Sequence, residues 1–146
     1  VDDEMTDDLE KKLATHFNFF NFLNPEFGFE CADGWFQIIW DLCEDLDKME
    51  RERWAAIPAD EKAKIFLEGG NPGLQVIQVK EKFGTLRFYV ENSDDKMYKR
   101  ISEAEKASAV TCEVCGKPGT LTGKSWVRTT CPEHTKKDKD VDTSIS

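Results

Sequence analysis

Cys112 and Cys115 stand three residues apart, and after a fifteen-residue spacer Cys131 and His134 repeat that interval. Three thiols and an imidazole at these spacings are the ligand set of a four-coordinate zinc site. A C-x2-C turn brings two thiolates to one side of a tight knuckle, and a second knuckle closes the tetrahedron. Thiolate and imidazole also hold zinc in preference to calcium or magnesium. Gly116, Pro118 and Gly119 supply the turn chemistry that bends the first knuckle back. Four unrelated residues, or two disulfides, are the competing explanations, and the histidine speaks against the second. Four protein ligands leave no open position for a reacting water, so the expected zinc is structural.

The rest of the chain need not depend on metal for a core. It has 146 residues with ten Phe and four Trp, enough for one modest domain with an appended module. No apolar run approaches the roughly 20 residues that span a bilayer, and the first residues are acidic where a signal peptide is basic. Cys31 and Cys43 are left as free thiols, which points to a reducing cytoplasm.

Charge is uneven. The net value is −9, and residues 1–60 hold sixteen acidic against five basic side chains, so the first half carries the excess. Phosphate neutralisation needs the opposite sign, which makes a nucleic-acid ligand the less favoured partner and leaves only a local basic patch for it.

Helical spacing of Leu9, Leu13 and Phe17 predicts a helix from Asp7 to about Phe17, with Thr6 at its N-cap, after a disordered residue 1–5 stretch. His16 reads as a partly buried structural residue beside an aromatic, Asn-rich segment. Asp33 is the expected N-cap of the longest helix, whose apolar stripe is Trp35, Ile38, Ile39, Leu42, Leu46 and Met49. Asp41, Glu44, Asp45 and Asp47 lie on its other side, either a solvated face or a docking surface for a basic partner. A break at Ile57-Pro58 precedes a short helix with Ala63, Ile65, Phe66 and Leu67 on its apolar side. Leu74–Lys80 and Thr85–Val90 form the expected antiparallel hairpin. Ile77 and Val79 share one face of it, and Lys80, Lys82 and Arg87 form a small cationic cluster near its turn. Ser93 or Asp94 caps a helix to about Ala109, which delivers the chain to Cys112. The glycine-broken spacer 116–130 lacks a helical stripe and fits a two-stranded zinc ribbon.

The expected fold class is therefore α+β: N-terminal helices packed on a β-hairpin, with a C-terminal helix leading into the ribbon. The division is an acidic domain at 1–110, the ribbon at 111–134 and a frayed tail at 135–146. Taken together, Phe27-Gly28-Phe29-Glu30-Cys31-Ala32-Asp33-Gly34-Trp35, then Gln78-Val79-Lys80-Glu81-Lys82-Phe83-Gly84-Thr85-Leu86-Arg87-Phe88-Tyr89, then the Cys112 to His134 cluster resemble a group of small zinc-binding proteins encoded by bacteriophages and prophages. Ala32 and Thr85 stand where that group more often has glycine. The resemblance implies a viral accessory protein acting inside a bacterial cell. Joined to the charge asymmetry, it leads to a non-enzymatic binder of a host protein. The concrete version is an anti-CRISPR-like inhibitor of an immune effector with a basic nucleic-acid channel, contacted through Asp41, Glu44, Asp45 and Asp47. The alternative is a zinc-ribbon regulator that touches DNA or RNA through Lys117, Lys124 and Arg128. An enzyme built on Cys31 and His16 lacks a supporting motif.

Overall fold

The computed structural model describes residues 4–24, 26, 28–70, 73–124 and 126–135. Helix α1 (Asp7–His16) leads into a 3-10 segment (Asn18–Phe22), the two-residue strand β1 (Phe29–Glu30) and a 3-10 turn (Asp33–Trp35). Helices α2 (Phe36–Ala55) and α3 (Ala59–Leu67) follow, then the hairpin β2 (Gln75–Lys82) and β3 (Thr85–Glu91), helix α4 (Asp95–Ser108) and the short strands β4 (Thr120–Thr122) and β5 (Arg128–Thr130). The class is mixed α+β, as the periodicities require.

The core forms where the stripe of α2 meets α4 and the inner face of the sheet. Trp35, Ile39, Leu42 and Leu46 are fully buried there with Val76, Val79, Leu86 and Met97, and Ile38 and Met49 pack at its margin. Phe17, Phe19 and Phe20 bring the aromatic segment into the same core, with Phe20 edge-on to Phe29 at 5.1 Å and to Phe88 at 6.4 Å. Edge-to-face rings at these separations add to simple burial.

The sheet has the order β1-β2-β3, with β1 parallel and β3 antiparallel to β2. Its β3 edge is closed by helix side chains rather than by another strand. The Ser108 hydroxyl accepts from the Leu86 N–H at 2.8 Å, and the Glu105 carboxylate accepts from the Phe88 N–H at 3.0 Å. Helix α4 thereby satisfies donors that would otherwise be stranded at an apolar boundary. Its own start is capped by Asp94, which accepts from the Met97 N–H at 2.9 Å.

Several expectations are corrected. Ile77 and Val79 do not share a face, because the register shifts between Val76 and Gln78. That irregularity turns Val76 and Val79 inward and leaves Ile77 exposed. Helix α3 forms but buries none of its side chains, and Phe66 and Leu67 are 83% and 86% exposed. Asp33 does not cap α2. It opens the 3-10 turn, and its carboxylate accepts from the Thr6 N–H at 2.7 Å, tying the entry of α1 to that turn. Met5 is part of the core rather than of a disordered terminus. His16 is exposed, its ring 4.8 Å from that of Trp40. Strand β1, two residues long, carries no period in the sequence. Residues 1–3 and 136–146 of the expected frayed ends lie outside the described residues.

The shifted register has a direct test. Val79→Ala is expected to cost about 2 kcal/mol in urea denaturation, whereas Ile77→Ala stays within about 0.5 kcal/mol of the parent. Equal losses would mean that both side chains face the core.

Candidate metal centre

Helix α4 ends at Ser108, and the chain turns at once into the knuckle. The Thr111 hydroxyl donates back to the Ala107 carbonyl at 2.8 Å. The Cys112 N–H then donates to the Lys117 carbonyl at 2.7 Å, and the Gly116 N–H to the Cys112 carbonyl at 2.9 Å, closing a loop with both thiols on one side. Strands β4 and β5 pair antiparallel, with Thr120 opposite Thr130 and Thr122 opposite Arg128. They return the chain to Cys131. The second ligand pair does not form another knuckle, as the spacing led us to expect. Residues 132–135 make one helical turn, with the Thr135 N–H donating to the Cys131 carbonyl at 2.8 Å.

That turn aims the imidazole at the thiols. His134 Nδ1 lies 3.1 Å from Cys131 Sγ and 3.5 Å from Cys112 Sγ, and Cys115 Sγ lies 3.7 Å from Cys131 Sγ. All four ligand atoms fall within 4.8 Å of one another. Tetrahedral sites with metal–sulfur bonds near 2.3 Å have edges of about 3.7 Å, so the cluster can hold a metal ion with small adjustments. The Cys131 thiol is pulled down to about 6, first by the backbone N–H of His134 and then by that residue's ring and the neighbouring thiols. A thiol already poised to lose its proton suits a metal ligand.

What joins this cluster to the rest of the fold was not legible in its ligands. Glu113, inside the C-x2-C, is 2% exposed. Its Oε2 accepts from the Ala32 N–H at 3.1 Å, its carbonyl accepts from the Gly34 N–H at 2.7 Å, and its own N–H donates to the Thr129 carbonyl at 3.0 Å. The Arg128 guanidinium lies 4.0 Å from Oε1 and offsets the buried charge. Gly34 runs so close to the knuckle that a Cβ there would collide with the carbonyl oxygens of Cys112 and Glu113. Beside it the buried Trp35 indole donates to the Thr111 carbonyl at 2.9 Å. The loop before α2 is thus moulded onto the knuckle. In sequence, a single glutamate between two cysteines looks like any surface acid.

The hairpin turn reaches the same region from the other side. Gly84, at φ +82°, sits against Leu121, Val127 and Arg128, and its carbonyl accepts from the Thr129 hydroxyl at 2.7 Å. The 27–35 motif therefore meets the ligand knuckle, and the hairpin motif meets the β4–β5 ribbon that carries the second ligand pair.

The remaining candidates fall elsewhere. Cys31 is fully buried, and burial followed by the Glu113 charge pushes its thiol well up, the opposite of an activated nucleophile. Cys43 is also raised, by its burial. On α2, Asp41 accepts from the Gln37 amide at 2.9 Å, Asp45 pairs with Arg100 at 2.6 Å and Asp47 with Arg51 at 3.2 Å, while Glu44 is exposed. The acidic face is thus partly engaged within the molecule. Lys117 and Lys124 are exposed, whereas Arg128 faces Glu113. No family model matches the chain, and no curated protein or solved structure matches it either.

Gly34→Ala is the sharpest probe of the join. It is expected to cost about 3 kcal/mol in denaturant and to speed metal transfer to a chelator, because the knuckle must move to admit the methyl. A parent-like midpoint and transfer rate would show that the loop and knuckle are not in contact.

Proposed function

We propose that this chain is a non-enzymatic binding protein, stapled by a structural zinc, that occupies a basic surface on a host protein. Zinc is the ion chosen because three thiolates and one imidazole complete its preferred tetrahedron and leave no position for substrate. The observation that carries the binding role is the surface of the first half. Asp7, Asp8, Asp41, Glu44 and Asp45 are all exposed on α1 and α2. Such a concentration of one sign raises the encounter rate with a positively charged partner. Helix α3 supports the same role, since Phe66 and Leu67 stand bare on a helix that buries nothing and exposed apolar patches mark protein interfaces.

The likeness of the three motifs to phage and prophage proteins directs the choice of partner to a bacterial immune effector, a CRISPR-associated complex being the most concrete case. The acidic helices would compete there with nucleic acid for a basic channel.

Two measurements test this. Elemental analysis of native protein is expected to find about one equivalent of zinc, and chelation is expected to loosen residues 94–134 in hydrogen exchange. Less than about half an equivalent contradicts the assignment. For binding, proteins captured from bacterial lysate by the parent are compared with those captured by Asp41→Lys/Glu44→Lys, which leaves the Arg51 and Arg100 ion pairs in place. The specific partner is expected to dissociate at high salt and to be lost from the double variant; retention by that variant would sink the electrostatic mechanism.

A further inference from the structure

The hairpin carries features that its own fold does not explain. Phe83 and Gly84 form the tight turn between β2 and β3, with φ of +54° and +82°. Two-residue turns of this kind favour Asn-Gly, because a bulky side chain in the left-handed region is strained. Phe83 takes that position while its ring remains 71% exposed, so burial returns little of the cost. A second cost lies two residues back in the hairpin. Lys80 stands directly opposite Arg87 on the outward face, a like-charge cross-strand pair that weakens a sheet. Arg87 Nε is also buried without a hydrogen-bond partner among the described residues. The acid in that row, Glu30 on β1 opposite Lys80, accepts from the Gln78 amide at 3.0 Å.

The chemistry these residues complement is that of a strand of bases on a phosphate chain. Tyr89, opposite Gln78, continues the outward face as an exposed ring, and Lys82 holds its ammonium 5.6 Å from the centre of the Phe83 ring. Rings alternating with cations on one sheet face stack unpaired bases and neutralise the phosphates between them. A duplex offers no free base faces to such rings. The turn is also rigid before any ligand arrives, since Gly84 is fixed to Thr129 and Leu121 and its N–H donates to the Glu81 carboxylate at 2.7 Å.

We propose that the outward face of the β2–β3 hairpin, ending at Phe83, binds single-stranded nucleic acid, with Phe83 and Tyr89 stacking bases and Lys80, Lys82 and Arg87 holding phosphates. This site lies on the hairpin, apart from the acidic helices, and uses none of the residues assigned to the host-protein surface. It also differs from a ribbon-based contact through Lys117, Lys124 and Arg128.

The probe is a fluorescein-labelled oligothymidylate of about 12 nucleotides, within the range of known single-strand sites, titrated with the metal-loaded full chain at low salt. Saturable binding is expected, with a duplex of equal length binding more weakly. Phe83→Asn is expected to weaken binding about tenfold while matching or exceeding the parent in thermal stability, because asparagine suits the turn. Lys80→Gln/Arg87→Gln is expected to reduce the slope of log affinity against log salt by roughly 1.4. No saturable binding, or unchanged affinity in Phe83→Asn, overturns the proposal. A lower melting temperature for Phe83→Asn also overturns it, by showing that the ring serves the fold. Displacement of the oligonucleotide by polyglutamate as readily as by unlabelled oligothymidylate assigns the face to an acidic protein instead.

Discussion

The buried contact between Glu113 and the loop 32–34 is the constraint on which the rest of this structure turns. One residue donates and accepts through its backbone and accepts again through its carboxylate, and its partners come from α2's approach and from β5. A carboxylate removed from water is tolerable only when such partners are complete. Here the residue stands in sequence between two prospective thiolate ligands, and its carboxylate has Arg128 as counter-charge. The metal cluster is therefore more than a local clasp on a ribbon. Through Glu113 the knuckle is bonded to the loop before α2, and the ribbon receives the hairpin turn at Gly84.

Charge and shape are distributed differently across the molecule. Acid is concentrated on α1 and α2, which also supply much of the core, so those helices serve packing on one side and solvent on the other. The sheet turns Lys80, Arg87 and Tyr89 outward, with Glu30 beside Lys80. Neutralisation of Asp45 by Arg100 and of Asp47 by Arg51 lowers the field that the acidic face can project. Asp41, Glu44 and the first turn of α1 remain to project it.

Much of this arrangement was legible in the sequence because its signals are periodic or stoichiometric. The stripe from Trp35 to Met49 located the longest helix, the cap at Ser93 or Asp94 located the start of α4, and the cysteine spacing located the four ligands that come together. What escaped was set by tertiary context. The register shift at Ile77 reverses a face through one extra residue, which alternation alone cannot reveal. Helix α3 has apolar residues at helical spacing but nothing opposite to bury them. The role of Glu113 depends on residues some eighty positions away in the chain, and no local pattern encodes such a partner. The strand β1 and the helical turn after Cys131 were too short to leave a period.

Trp35 gives the protein an internal optical gauge. Its indole is sealed from water and hydrogen-bonded to the carbonyl of Thr111, the residue that precedes the first ligand. Trp54 and Trp126, by contrast, are exposed and Trp40 half-buried. Trp35 is consequently the ring expected to weigh most on the blue edge of the emission spectrum. A shift of that edge on adding or removing metal would follow the knuckle without any added label.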